Sequence, residues 1–237
     1  MRALSSSDFL DLWERGFGLH PLDQGLLLLG AALPETSYEN LADWPLGRRN
    51  QALAELRSAY FGPKLHGYTT CNRCGEKMEF EVDSLAFISH AADTAENRSE
   101  PIMVKGRSFR LPSSRDLALA ARETNPSSAA LRILEACRLD AAESATWSEE
   151  DLEEVGQRMA VADPLAEIVL NLACPACGQE CNPMLDIAAF LWAEIEARAR
   201  RLLFDIHALA SAYGWTQKEI LSLSEQRRGL YLEMVHT

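Results

Sequence analysis

Four cysteines in two identical spacings are the residues of this sequence with the clearest capacity for chemistry. Cys71 and Cys74 form one C-x-x-C-G motif, and Cys174 and Cys177 form a second one far downstream. Two thiolates at this spacing can face the same metal ion, and the glycine that follows takes the positive φ that closes the turn. Each motif supplies only two ligands. The spacing therefore predicts that two distant segments of the chain meet around one metal ion.

We expect this metal to be zinc in a structural role. Paired C-x-x-C motifs are typical of metal sites in proteins of reducing compartments, where disulfides are rare. Four thiolates complete a tetrahedron around Zn²⁺ and leave no position for a water molecule, which favours a structural site over a catalytic one. Iron in the same four-sulfur geometry stays an alternative.

The other thiols and the histidines are assigned different roles. Cys181 could replace one of the ligands, but alignment of the two motifs places it opposite Met78, which favours a buried thiol. Cys137 is expected in the core of a helical region. Of the five histidines, His66 is the one plausible spare ligand. A surface or partly buried position is favoured for it, because two cysteine pairs already close a site.

The elements around the motifs predict a zinc ribbon in two halves. The first motif lies between the strand-like segments 65–70 and 78–82, and the second follows the alternating segment 166–173. The alignment of the cysteines also places Asp83 opposite Asp186. Both halves therefore show the order strand, motif, strand, aspartate. We interpret them as a pseudo-twofold ribbon whose halves are separated by an insertion.

Helices are expected over most of the remaining chain. Residues 8–17, 22–33 and 47–61 show apolar spacing typical of helices, and a capping box at 36–39 predicts a short helical turn. A hairpin is expected over 102–111, with its turn at Lys105-Gly106. Further start signals lie at Ser113, Pro126, Ser148, Thr216 and Ser224. The longest helix is expected over 187–213, with Asp186 as its N-cap and Gly214 as its C-cap.

The predicted fold class is therefore α+β, mostly α. Five segments follow one another along the chain: a helical region (1–62), the first half of the ribbon (63–88), an inserted hairpin with helices (89–164), the second half of the ribbon (165–186) and a C-terminal helical arm (187–237).

Charge and composition restrict the possible partners. The net charge is −12 and the isoelectric point is near 4.9, so the chain as a whole repels phosphate backbones and anionic membranes. No signal peptide and no apolar run of membrane-spanning length is visible, and we expect a cytoplasmic protein without a membrane partner. Arginines at 198, 200, 201, 227 and 228 precede and follow a segment similar to a helix-turn-helix. We interpret them as ion-pair partners of the many acids.

Enzyme motifs are missing from the sequence. It contains no phosphate-binding loop, no dinucleotide-binding glycine motif, no H-E-x-x-H and no G-x-S-x-G. The acidic residues between 143 and 154 are interpreted as a solvated helix start. A thiol redox enzyme is a weak alternative, because such a C-x-x-C pair begins a helix, whereas a glycine and a strand-like arm follow each pair here. We therefore expect no catalysis and no small-molecule substrate.

Several stretches, taken in order, resemble one protein family. They are residues 18–23 (GLHPLD), 45–50 (PLGRRN), the two cysteine motifs, 111–117 (LPSSRDL), 206–210 (IHALA) and 213–215 (YGW). The chain resembles small proteins encoded among contractile-tail genes, similar to the baseplate hub assembly chaperones of T-even-type phages, with relatives in phage-derived contractile injection systems. The resemblance implies a non-enzymatic assembly or baseplate protein that binds other tail proteins, either during assembly alone or also as a part of the particle. A zinc-ribbon protein that binds nucleic acid or the transcription machinery is the alternative, and the net charge argues against it.

Overall fold

A computed structural model describes residues 1–84, 100–140 and 147–235 of the chain. The chain divides into two compact units. The terminal unit combines Met1–Pro34 with Ala189–Thr237, and the central unit is Glu35–Ala188. Helices dominate the described residues, and small antiparallel sheets accompany them. The predicted class, α+β and mostly α, is confirmed.

The terminal unit is built from helices. They are α1 (Ser6–Gly16), α2 (Pro21–Ala32), α8 (Ile187–Tyr213, whose first two residues belong to the central unit), α9 (Gln217–Ser222) and α10 (Glu225–Val235). The predicted α8 matches the observed one in both bounds. Asp186 accepts a hydrogen bond from the N–H of Ala188, and Gly214 follows the helix at φ +69°. Thr216 and Glu219 form the capping box of α9.

The central unit contains the remaining elements. Its helices are α3 (Tyr38–Ala42), α4 (Leu46–Phe61), α5 (Ser114–Ala120), α6 (Pro126–Cys137) and α7 (Glu149–Ala162). Its strands form three antiparallel pairs: β1 (Lys64–Thr70) with β2 (Lys77–Asp83), β3 (Ile102–Val104) with β4 (Arg107–Phe109), and β5 (Leu172–Ala173) with β6 (Glu180–Cys181).

Local sequence signals in the inserted segment are confirmed. Lys105 and Gly106 both take positive φ and turn the β3–β4 hairpin, although β4 ends at Phe109 rather than at Leu111 as predicted. Ser113 and Ser148 form the capping boxes of α5 and α7. The acidic residue at 143 and the histidines at 90 and 236 lie outside the described residues, as does the polar loop expected over 89–100 except for Glu100.

The second half of the ribbon is less regular than predicted. The expected strand 166–173 is confirmed only at β5, although Val169 still bridges to Met184. The N–H of Leu170 donates to the carbonyl oxygen of Pro183, but Pro183 has no N–H and cannot donate a hydrogen bond in return. The first half has no proline in either arm, so β1 and β2 pair over their full length from Lys64–Asp83 to Thr70–Lys77.

A buried polar network fixes α4 against the segment that leads to the second cysteine motif. The N–H of Gly47 donates to Asp163 Oδ2 at 2.7 Å, and Asn50 Nδ2 donates to the carbonyl oxygen of Leu165 at 2.8 Å. Arg49 Nη1 reaches Ser114 Oγ at 3.2 Å. Burial lowers the pKa of Arg49, and the charge of Asp186 opposes that shift. These contacts join residues far apart in sequence and hold the approach to Cys174 in place.

Candidate metal centre

The first cysteine motif forms a tight turn between β1 and β2. The N–H of Gly75 donates to the carbonyl oxygen of Cys71 at 2.9 Å, and the N–H of Cys71 donates to that of Glu76 at 2.8 Å. Gly75 lies at φ +76°, a conformation that a residue with a Cβ rarely adopts. The turn therefore directs both thiols of the motif to one side.

The second motif repeats this geometry between β5 and β6. The N–H of Gly178 donates to the carbonyl oxygen of Cys174 at 2.9 Å, and the N–H of Cys174 donates to that of Gln179 at 2.8 Å. Gly178 lies at φ +70°. The two turns have equivalent hydrogen bonds and equivalent glycines. The predicted pseudo-symmetry is thus confirmed at the turns themselves, although the arms of the second half are shorter.

The two turns bring the four predicted ligands together. The Sγ atoms of Cys71 and Cys177 are 3.7 Å apart, those of Cys74 and Cys174 are 3.6 Å apart, and all four lie within 4.8 Å of one another. Within the described residues, no other group of three or more His, Cys, Asp or Glu side chains is close enough to hold a metal ion.

These distances fit a metal with four sulfur ligands. Zn–S bonds of about 2.3 Å at tetrahedral angles place neighbouring sulfurs about 3.8 Å apart. The observed crossed pairs lie close to that spacing, and each pair joins one cysteine from each motif. Cys71 and Cys174 are buried, whereas Cys74 is exposed. The cluster therefore lies at the surface of the central unit with one side open to solvent.

Backbone hydrogen bonds favour the thiolate form of Cys71. Hydrogen bonds from the backbone N–H groups of Cys74 and Arg73 lower the pKa of the Cys71 thiol to about 6. A hydrogen bond from the N–H of Glu76 likewise lowers the pKa of the Cys74 thiol. Hydrogen bonds with neighbouring thiols, together with burial, outweigh this effect and raise the pKa of Cys74 to about 12. A thiolate beside other thiols is stabilised further when a cation neutralises the group.

Cys181 and Met78 complete the apolar side of the cluster. Both are buried and pack against Cys71 and Cys174, in the equivalent positions that the alignment of the two motifs gives them. Cys181 Sγ lies 3.9 Å from Cys71 Sγ, yet Cys181 is not among the four mutually close thiols. Its interpretation as a buried thiol is confirmed. The pairing of β5 with β6 places Cys181 opposite Leu172, two residues before Cys174.

The other candidates lie away from the cluster. His66 is exposed on β1, and its Nδ1 is 3.5 Å from Glu81 Oε2. Cys137 is fully buried in an apolar cluster with Phe109 and Leu134, where burial raises the pKa of its thiol to about 12. Both agree with the roles expected from the sequence.

The C-terminal arginines are largely neutralised within the terminal unit. Arg198 pairs with Glu225 at 3.0 Å, Arg200 with Glu196 at 2.7 Å, and the buried Arg228 with Asp205 at 3.2 Å. For these three residues the interpretation as ion-pair partners is confirmed.

Comparison with known proteins adds no identification. No family model matches the chain, and neither a curated protein nor a solved structure does. In the part of the chain that the structure describes, no helix combines the length and the apolar character needed to cross a membrane.

Proposed function

We propose that this protein is a non-enzymatic, zinc-stabilised assembly protein of a phage-like contractile tail baseplate that acts through contacts with other tail proteins. The four-cysteine cluster, whose sulfur spacing fits a tetrahedral ion, supports the metal-stabilised part of the proposal. The baseplate part rests on the resemblance of the sequence stretches. In such a site Cys71, Cys74, Cys174 and Cys177 fill every coordination position. A metal held in this way ties two distant segments together and takes no part in a reaction.

Zinc is the metal that this donor set favours. Four soft thiolates in tetrahedral arrangement suit Zn²⁺, which has no redox chemistry of its own, and iron is the competing ion. The ion would join β1–β2 to β5–β6 across the whole inserted segment. Its role in the central unit is therefore comparable to that of a covalent cross-link.

Metal analysis of purified protein tests the site. We expect about one zinc per chain in the wild type and loss of that zinc in Cys71→Ser, because three thiolates bind Zn²⁺ far more weakly than four. Cys181→Ser is the matched control, since it changes a thiol that packs on the same cluster but is not a ligand. Retention of zinc by Cys71→Ser, or its loss from Cys181→Ser, would overturn the ligand assignment.

The assembly role is supported by the resemblance of five stretches and both cysteine motifs to baseplate assembly proteins. The charge of the chain and the ion pairs of Arg198, Arg200 and Arg228 favour a protein partner over a nucleic acid.

Affinity purification from cells that express the native gene cluster tests the role. We expect tail or hub proteins to co-purify with the tagged chain after nuclease treatment. Recovery of polymerase alone, or of nucleic acid alone from a parallel sample without nuclease, would contradict the baseplate proposal and favour the zinc-ribbon alternative.

A further inference from the structure

An apolar groove of about 680 Å³ lies within the central unit and is open to solvent. The start of α4, helices α5, α6 and α7, and the segment 163–169 form its walls. Apolar side chains such as Leu117, Ile133, Leu152 and Val155 make up most of its surface. A specific small-molecule site would present several converging polar groups, and this groove presents few. The apolar lining of the groove suits the apolar face of an amphipathic helix, on which side chains at i, i+3, i+4 and i+7 lie together.

The charges on the described lining of the groove have one sign. Among the described residues that line it, the ionisable ones are Asp163 and Glu167. Glu167 is exposed. An occupant with a basic residue at this end would meet a negative field, whereas an acidic occupant would be repelled in a chain of net charge −12.

Gly156 leaves the α7 wall of the groove without a side chain at one position. It lies inside α7 and lines the groove, and a Cβ added there would meet no atom within 4 Å. It is not among the positive-φ glycines, so the backbone does not require glycine. Glycine inside a helix costs about 1 kcal/mol relative to alanine. Together with Ala160, one turn further along α7, it leaves room for another helix to approach closely.

We propose that this groove binds an amphipathic helix of a partner protein, with the apolar face of that helix against α7 and a basic residue beside Glu167. The inference rests on the proposed assembly function and specifies the chemistry of the partner surface. Val169 continues the apolar surface beyond the groove towards the exposed Met184, with which it forms an isolated β-bridge.

A synthetic helix tests the groove directly. The probe is a fluorescent amphipathic peptide of about 15 residues with leucines on one face and lysines at one end, compared with the same peptide carrying glutamates instead. We expect the lysine peptide to bind the full-length zinc-loaded protein more tightly than the glutamate peptide. In Gly156→Leu, whose new side chain occupies the groove, binding should weaken at least tenfold, on the order of 1.4 kcal/mol.

Gly229→Leu is the matched control. Gly229 also lies inside a helix, α10, and an added Cβ there meets nothing within 4 Å, but it belongs to the terminal unit. This variant should bind the lysine peptide as the wild type does, with an unchanged circular dichroism spectrum. Glu167→Lys should reverse the preference between the two peptides, because the field at that end of the groove changes sign.

Three results would overturn the inference: no binding of the lysine peptide, equal binding by Gly156→Leu and wild type, or no effect of Glu167→Lys. A wild-type dimer that becomes monomeric in Gly156→Leu would also overturn it, since the occupant would then be a second copy of the chain. Recovery of tail proteins by Gly156→Leu at wild-type yield would reject the groove and leave the assembly role intact. Binding of the lysine peptide by the wild type without recovery of tail proteins would reject the assembly role and leave the groove intact.

Discussion

Asp116 shows how much a single side chain contributes to the central unit. It is buried, its two oxygens accept hydrogen bonds from Arg110 Nη1 and Nη2 at 2.6 and 2.8 Å, and one of them also accepts from the N–H and hydroxyl of Ser113. Arg110 in turn donates to the carbonyl oxygen of Ala136 near the end of α6. One carboxylate therefore caps α5 and connects it to α6.

We expect Asp116→Asn to lower the free energy of unfolding by about 2 kcal/mol, because it leaves the half-buried guanidinium of Arg110 without its counter-charge and removes a cap. Urea denaturation followed by circular dichroism measures this change. Asp43→Asn is the control, since its partner Arg115 and Asp43 itself are both exposed, and such pairs contribute at most about 1 kcal/mol. If the two substitutions lower the free energy of unfolding equally, Asp116 contributes no more to stability than an exposed carboxylate.

The same carboxylate sets a pH dependence whose direction follows from its pKa. Burial raises the pKa of Asp116, but the hydrogen bonds from Arg110 and Ser113 outweigh burial and hold it below the ordinary value. Its contribution is therefore complete above the unfolded pKa, about 3.9, and is lost as the pH falls through the lower folded pKa. The stability difference between wild type and Asp116→Asn should be constant from about pH 5 to 7 and shrink below about pH 4.

Among the helices, two glycines differ in the space beside them. Gly156 has open space beside it, so Gly156→Ala should stabilise the protein by about 0.5–1 kcal/mol through helix propensity. At Gly16, the last residue of α1, an added Cβ would overlap Cη2 of Trp192. Gly16→Ala should therefore destabilise by about 1–3 kcal/mol, because the buried ring must move. Thermal unfolding separates the two, and changes of the same sign would refute the packing argument.

Elements whose signals are local could be predicted from the sequence. The capping residues Ser113, Ser148 and Thr216 and the turn at Lys105 act within a few residues, and the structure confirms them. One cap is shifted: Ser37 rather than Thr36 precedes α3, and it accepts from the N–H of Asn40. Both hydroxyl residues can cap a helix, and the position of Glu39 three residues after Thr36 favoured Thr36 in the sequence.

Other features depend on contacts between distant segments and were not visible in the sequence. The stretches 45–50 and 111–117, which carry the resemblance, meet in the central unit, where the N–H of Leu46 donates to the carbonyl oxygen of Pro112. The groove and the role of Gly156 likewise exist only once α7 has packed beside α5 and α6. The four ligands were the exception, because two identical motifs imply a shared ion whatever the intervening chain does.

The two compact units of the protein do not follow the order of the predicted segments, because one unit combines both ends of the chain. Helices predicted as one N-terminal region are divided: α1 and α2 belong to the terminal unit, and α3 and α4 to the central one. Within the central unit, the four thiols join residue pairs that are 100 and 106 positions apart. A metal ion at this point closes a long loop.

Removal of the metal should therefore loosen the ribbon before the core of the inserted segment. A cross-link that closes a loop of this length stabilises the folded state by about 4–5 kcal/mol, mainly by restricting the unfolded chain. We expect the chelated protein to lose about that much free energy of unfolding. Hydrogen exchange of the amides in β1, β2, β5 and β6 should accelerate most, because the ribbon turns lose their shared ligand.

The β3–β4 hairpin with α6 and α7 provides the internal reference. Its cluster of Val104, Phe109, Leu134, Val155 and Met159 is apolar and contains none of the four ligands. Amides of this cluster should keep more of their protection after chelation than those of the ribbon, and added zinc should restore the ribbon amides to the holo rate. Uniform acceleration of exchange throughout the central unit would show that the metal supports the whole unit equally. Unchanged exchange in the ribbon would show that the cysteine cluster holds together without a metal.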